Sequence, residues 1–496
     1  VKRREFIKEV GNIALTVSSY SLLAQGMFLN RAHGAPVPLD GLRRIIRPED
    51  GVVVGPNDAN FAKVKNGFNL RIQALPSVVV RCATPEGVMR AVGWARENGV
   101  AIRLRSGGHS YEGFSTGDGC LIIDVNPMSR IAVSDDKQTA RIGSGARLGK
   151  VYETLFSKGV IIPAGSCATV GVAGLAQGGG FGLSSRKLGL TCDNVLSMQM
   201  VDVNGKLVTA SASENPDLYW ALRGGGGGNM GVVTDFQFKV HPMNKVITFV
   251  LKWPSARAKE VIQAWQRTMP NAPDELTCIL KLSGSSQTGL GEVRCVGQFT
   301  ARDTGGVPRE SDLVAALKPL VSQVTPSAQS MTLRTFTEAA QFFSGGEDPP
   351  VAFKAKSDYA VEPLSPQGID SILNALKHMS MGAVAVIFDC YGGAVNRVAS
   401  DATAFAHRAG TLHSVQYYCQ WGSASATAGM IKMMREVHGA SHPFFSGGAY
   451  VNYCDLDIKD WQSAYFGDNY RRLTEVKRAW DPEYILNFGP QSIPPA

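Results

Sequence analysis

Two nucleophilic side chains in glycine-rich settings are the strongest chemical signal in this 496-residue chain. His109 follows the turn-like run Arg105-Ser106-Gly107-Gly108 and precedes Ser110, while Cys167 sits within Gly165-Ser166-Cys167-Ala168-Thr169-Val170-Gly171-Val172. A ring nitrogen held among glycines can be brought against a flat ligand, because glycine adopts positive φ and carries no side chain to block the approach. The cysteine segment shares that property. Together they predict a planar cofactor met closely by backbone.

These residues need a scaffold, and the alternation of β-branched and helical runs supplies one. The pattern predicts a strand over 77–81, a helix over 86–97 and a strand over 101–104 that leads into His109. Strands over 121–124, 139–142 and 197–202 with a helix over 148–157 continue an α+β arrangement. After His241-Pro242 the elements lengthen. Strands over 247–253, 276–282, 293–299, 384–389 and 414–421, with helices over 256–268, 313–321, 367–378 and 428–437, predict a second unit on an antiparallel sheet. The expected organisation is a cofactor domain at 36–242, a substrate domain at 243–445, and a C-terminal segment at 446–496 that returns to the first.

Composition narrows the function. With 44% hydrophobic and 19% charged residues the chain is an ordinary globular protein, too long for one compact core. Its net charge of +8 is diffuse, without the basic and aromatic clusters of a nucleic-acid surface, so no nucleic-acid partner is expected. The nine cysteines include no C-x-x-C pair, which argues against a zinc site. His438 and His442 have helical spacing, but Gly439 and Ser441 intervene and no glutamate follows His438, so the expectation is no metal. Gly226-Gly227-Gly228-Asn229-Met230-Gly231 matches G-x-G-x-x-G in form only, since it follows a helix-like stretch and precedes a strand-like one. A nest of backbone N–H groups facing phosphate oxygens suits it better. Residues 1–35 join Lys2-Arg3-Arg4 to an apolar run ending near Ala32 and Ala35, the outline of a twin-arginine export signal, and so predict export machinery as a partner and a periplasmic or secreted location.

The chain resembles flavoproteins of the berberine bridge enzyme and glucooligosaccharide oxidase type, within the vanillyl-alcohol oxidase superfamily. The likeness rests on the two nucleophile segments, on Gly178-Gly179-Gly180-Phe181-Gly182, on Trp220 through Thr234, and on Tyr450-Val451-Asn452-Tyr453 through Gln491-Ser492-Ile493. Residues 245–380 match loosely. The resemblance implies an α+β fold with a PCMH-type FAD-binding domain and an antiparallel-sheet substrate domain. It also implies FAD bonded through its 8α-methyl to His109 and through C6 to Cys167. Arg105, Ser106, Gly107, Gly108, Ser110, Val170, Gly171, Gly174, Gly178, Gly179, Gly182, Gly231, Val233 and Asn452 would complete the cofactor site.

The activity implied is an FAD-linked oxidase that converts an alcohol, most directly a sugar hemiacetal hydroxyl to a lactone, with a small-molecule substrate and O2 as partners and hydrogen peroxide as product. Hydride loss from carbon needs a base for the hydroxyl proton. A phenol ionises near pH ~10 and needs a neighbour to act near neutrality, and Tyr453 with Asp389 offers that pairing. Tyr111 matches a further active-site tyrosine of the resembling oxidases, Gln420 could face substrate from the last long strand, and Val170 would leave room for oxygen. Gly422 stands where the alkaloid-cyclising enzymes have a glutamate, which argues against their mechanism. Oxidation of a secondary-metabolite alcohol or amine, and a flavin-carrying binding protein without turnover, are the alternative readings.

Overall fold

The computed structural model describes residues 39–303, 305–345 and 349–496, so the expected export signal at 1–35 lies outside the described residues. The run Val78–Cys82 is buried on both faces, as suits a strand with parallel neighbours. It pairs in parallel with Leu121–Asp124, which pairs in parallel with Ile102–Arg105, and Gly51–Val54 closes the other edge antiparallel. The crossover is the helix Pro85–Glu97, capped by the Thr84 side chain, which accepts from the Gly87 N–H, and started by a proline whose missing N–H costs nothing there. Its Val88, Ala91, Val92 and Ala95 pack on Val78, Val80, Ile102 and Leu121. The strand Ile102–Arg105 then delivers the chain into the His109 turn.

A second sheet is antiparallel, in the order Ile131–Val133, Thr139–Gly143, Val232–Lys239, Val195–Val201, Leu207–Ser211. Its core residues Ile142, Met198 and Phe236 share one apolar cluster with Trp461, Phe466 and Leu473 from near the C-terminus. The largest sheet has eight strands, all antiparallel. The helices Ala258–Thr268, Glu310–Val321, Pro366–Lys377 and Thr427–Ser441 share a single core with it. Period-two alternation sorts the strand His413–Trp421: Tyr417, Cys419 and Trp421 are buried in that core, whereas Gln416, Tyr418 and Gln420 point to the opposite side.

One edge strand of this sheet, Ala352–Ala360, and the strand Ala328–Thr335 at the other edge have no counterpart among the strands expected from the sequence. The first breaks the usual pattern because Lys354, Lys356 and Asp358 are buried. Lys354 is bound by Glu112 and, at 2.5 Å, by Asp455; Lys356 lies 2.6 Å from Asp455 and 2.8 Å from Asp457. Arg71 adds a contact to Glu112 at 2.7 Å. Burial opposes the charge on Lys354, but the carboxylates of Asp455 and Glu112 outweigh it and raise its pKa. This cluster ties the large sheet to the loop after His109 and to the C-terminal segment.

Removing one member leaves uncompensated buried charge, which costs about 3–5 kcal/mol. Lys354→Met is therefore expected to lower unfolding free energy by about that amount in denaturant titrations. A loss under ~1 kcal/mol would mean the cluster behaves like a surface pair.

Candidate active site

The two glycine-rich segments meet backbone to backbone. A Cβ on Gly107 would lie 2.2 Å from the Gly171 nitrogen, and one on Gly171 would lie 2.3 Å from the Gly107 nitrogen, so neither position accepts a side chain. Gly108, at φ +73°, turns the chain so that His109 follows at once. His109 Nε2 is 3.0 Å from the Thr169 hydroxyl, and Cys167 Sγ is 3.7 Å from the same oxygen. Thr169 thus links both nucleophiles. Its residue type carries no signal in the sequence beyond its place in the cysteine segment. The His109 ring stacks on Phe68 with centroids 4.1 Å apart. Burial, helped by the positive charge of Arg147, lowers the His109 pKa to about 4, so the imidazole is neutral near pH 7 and retains a nucleophilic lone pair.

A cavity of about 520 Å³ opens beside them, lined by His109, Cys167, Tyr111, Tyr453, Gln416 and Gln420 among others. Three observations fit a flavin dinucleotide there. Gly174, in the helix Val172–Gln177, is exposed into the cavity and a Cβ on it would meet nothing within 4 Å, although alanine favours a helix. Gly226 and Gly228 line the cavity with φ of +83° and +91°, as a phosphate-facing nest requires. The buried Gln177 side chain lines it too, with an Oε1 that has no hydrogen-bond partner among the described residues.

The expected cofactor residues divide into two groups. Ser106, Gly107, Gly108, Ser110, Val170, Gly171, Gly174, Gly231, Val233 and Asn452 line the cavity. Gly178, Gly179 and Gly182 do not; added Cβ atoms there would strike the Asn452 amide at 2.1 Å, the Phe405 ring at 2.8 Å and the Ala164 carbonyl at 1.8 Å, so these glycines serve packing. Arg105 reaches the cavity wall, but its guanidinium donates to the carbonyls of Val64, Lys65 and Asn66 and sits 3.9 Å from Asp124. Its polar groups hold the preceding loop. Asn452 is also occupied, donating to the Leu175 carbonyl at 3.0 Å and to the Tyr450 hydroxyl at 2.9 Å.

The expected catalytic residues come from three parts of the chain. Tyr111 and Tyr453 stack at 5.3 Å with planes 7° apart, and Gln416 donates to the Tyr111 hydroxyl at 2.8 Å. Gln420 accepts from the Tyr418 hydroxyl at 3.2 Å. Gln416 is a site residue that the sequence signals only through the polar side chains at every second position of this strand. Asp389, on the strand Ala383–Cys390, is buried behind the cavity wall and accepts from Ser414 at 3.3 Å. Burial pushes its pKa up to about 7. The Tyr453 phenol is raised well above its ordinary range, by burial first and then by the Asp389 charge. The electrostatic activation expected from that pairing runs in the opposite sense: an ionised Asp389 disfavours phenolate and favours a Tyr453 that keeps its proton or passes it on.

A family model for an FAD binding domain matches residues 76–211, and one described as berberine and berberine like matches 449–494. The chain is 36% identical to the FAD-linked oxidoreductase YgaK of Bacillus subtilis (strain 168), over 90% of this chain and 97% of that protein. Among solved structures it is similar to Physcomitrella patens BBE-like 1, with 32% identity, a TM-score of 0.83 and coverage of 91% of this chain and 99% of that one. It is also similar to a chitooligosaccharide oxidase, with 28% identity, a TM-score of 0.82 and coverage of 92% and 99%.

Gly174 gives the most direct test of the cavity's occupant. Gly174→Ala is expected to leave the fold at least as stable, by up to ~1 kcal/mol from helix propensity, while lowering the flavin-to-protein absorbance ratio of the purified enzyme. Unchanged flavin content would mean that no cofactor atom lies against this position.

Proposed function

The chain belongs to the berberine bridge enzyme-like family of FAD-linked oxidoreductases, and from that premise we propose that it is a bicovalently flavinylated oxidase of sugar or oligosaccharide hemiacetals, giving lactone and hydrogen peroxide. The observation that carries this reading is the placement of His109 and Cys167, both on Thr169, across one cavity from an amide and aromatic wall. With Nε2 held by Thr169, Nδ1 of His109 is the nitrogen left for attachment, and Cys167 is partly exposed. A flavin held there would supply the hydride acceptor and the route of electrons to O2.

The protein's own part is recognition and proton handling. Gln416, Tyr418 and Gln420 suit hydroxyl groups, and the faces of Tyr111 and Tyr453 suit the flat apolar side of a sugar ring. Likeness to a chitooligosaccharide oxidase supports a carbohydrate substrate. In the proposed proton path the substrate hydroxyl gives its proton to the Tyr453 oxygen as the Tyr453 proton moves toward Asp389, whose carboxylate is populated above pH about 7. Val170 lines the cavity, and in this reading its small side chain leaves space for oxygen. We further propose export through the twin-arginine route, which carries folded proteins and so suits a flavin attached beforehand.

Two outcomes test this. Acid-precipitated protein is expected to stay yellow, as are the His109→Ala and Cys167→Ser single variants, while the double variant releases its flavin; free flavin from the parent would overturn the two tethers. The rate of anaerobic flavin reduction by sugar is expected to rise with pH through about 7, the value set by Asp389. Asp389→Asn should lower that rate by about two to four orders of magnitude and flatten the profile. An unchanged profile in that variant would remove Asp389 from the proton path.

A further inference from the structure

The cluster of Asp358, His438 and His442 lies on the helix-covered side of the large sheet, apart from the flavin cavity. His438 falls in the last turn of the helix Thr427–Ser441 and His442 directly after it, so helical spacing stacks their rings, with centroids 4.9 Å apart. The sequence shows only this pair. The third group comes from the edge strand Ala352–Ala360, where Asp358 is fully buried and points at both rings. Its Oδ1 is 2.6 Å from His442 Nδ1 and its Oδ2 is 3.3 Å from His438 Nε2. One donor atom from each residue can be chosen so that all lie within 4.8 Å of one another.

The geometry points to a site for a divalent first-row transition metal, of the zinc class, held by Asp358, His438 and His442. Two imidazoles and a carboxylate form a borderline donor set that suits zinc and its neighbours rather than calcium or magnesium. A tetrahedral ion with bonds of about 2.0–2.1 Å separates its ligands by about 3.3 Å; the His438 to Asp358 distance is 3.3 Å, and the His442 to Asp358 hydrogen bond at 2.6 Å would open toward that separation as an ion replaces its proton. The Tyr417 hydroxyl faces the same carboxylate, but Asp358 Oδ2 is buried and makes no direct hydrogen bond among the described residues, the state of an acceptor that a cation would satisfy. The His442 side chain is 47% exposed, so solvent can reach the site and water can complete the shell. Two neighbours bear on the site. Lys356 opposes positive charge there but is engaged by Asp455 and Asp457, and the Tyr417 ring meets His438 edge-on at 5.1 Å while its hydroxyl accepts from Ser441 at 2.9 Å. A bound ion would fasten the helix to the strand that carries Phe353 into the flavin cavity.

The test uses tag-free holoenzyme, stripped with a chelator, dialysed against Zn²⁺ and passed through a desalting column. The parent is expected to retain one zinc per chain and to melt at higher temperature with zinc than without. The His438→Ala/His442→Ala double variant should bind at least about 100-fold more weakly. His378→Ala, an exposed control elsewhere on the sheet's helices, should bind as the parent does. Flavin content and circular dichroism establish that each variant is folded, and His442→Ala alone, at a half-exposed position, provides a milder change that should also weaken binding. No retained zinc in the parent, or equal retention by the folded double variant, would overturn the site.

Discussion

The close approach of Gly107 to Gly171 is the constraint on which the active site depends. Two backbones meet where no Cβ fits, and this contact joins a loop following a parallel strand to a loop preceding a short helix. Both candidate nucleophiles hang from that junction. His109 is two residues past one side, Cys167 is four residues before the other, and Thr169 closes the gap between them. Because backbone geometry sets both nucleophiles, they need no long flexible side chain to face a common cavity.

The opposite wall is fixed by charge. Lys354 and Lys356 are buried with Glu112, Asp455 and Asp457, so the edge of the large sheet, the loop that bears Tyr111 and the segment that bears Tyr453 are drawn together. Such a cluster contributes little stability over a hydrophobic equivalent, but a mismatch of any member is costly. Here it selects one docking of three segments, and the stacked pair Tyr111 and Tyr453 is the local result.

Elements whose period follows their burial were legible in the sequence. The strand Leu121–Asp124 and the helix Leu148–Phe156 fall within a residue of expectation, since their apolar positions report directly on the core. Ala352–Ala360 was illegible for the opposite reason: buried lysines and an aspartate hide its alternation, and their partners are distant in sequence. The same limit explains the site. His109 and Cys167 announce themselves by local glycine context, whereas Thr169, Gln416 and the unactivated state of Tyr453 arise only from three-dimensional neighbours. Gly178, Gly179 and Gly182 look like cofactor glycines in the sequence, yet Asn452, Phe405 and Ala164 occupy the space beside them.

In the proposed function, the substrate wall presents an anomeric hydroxyl to the reacting end of the cavity. Anaerobic mixing of the holoenzyme with a panel of oligosaccharides, each paired with its borohydride-reduced alditol, tests it most directly through the loss of flavin absorbance. Rapid bleaching is expected with at least one oligosaccharide and none with the matching alditol, which lacks the hemiacetal. Bleaching by both members of a pair at equal rates, or by no sugar while a polycyclic alcohol or amine bleaches the flavin, would contradict it.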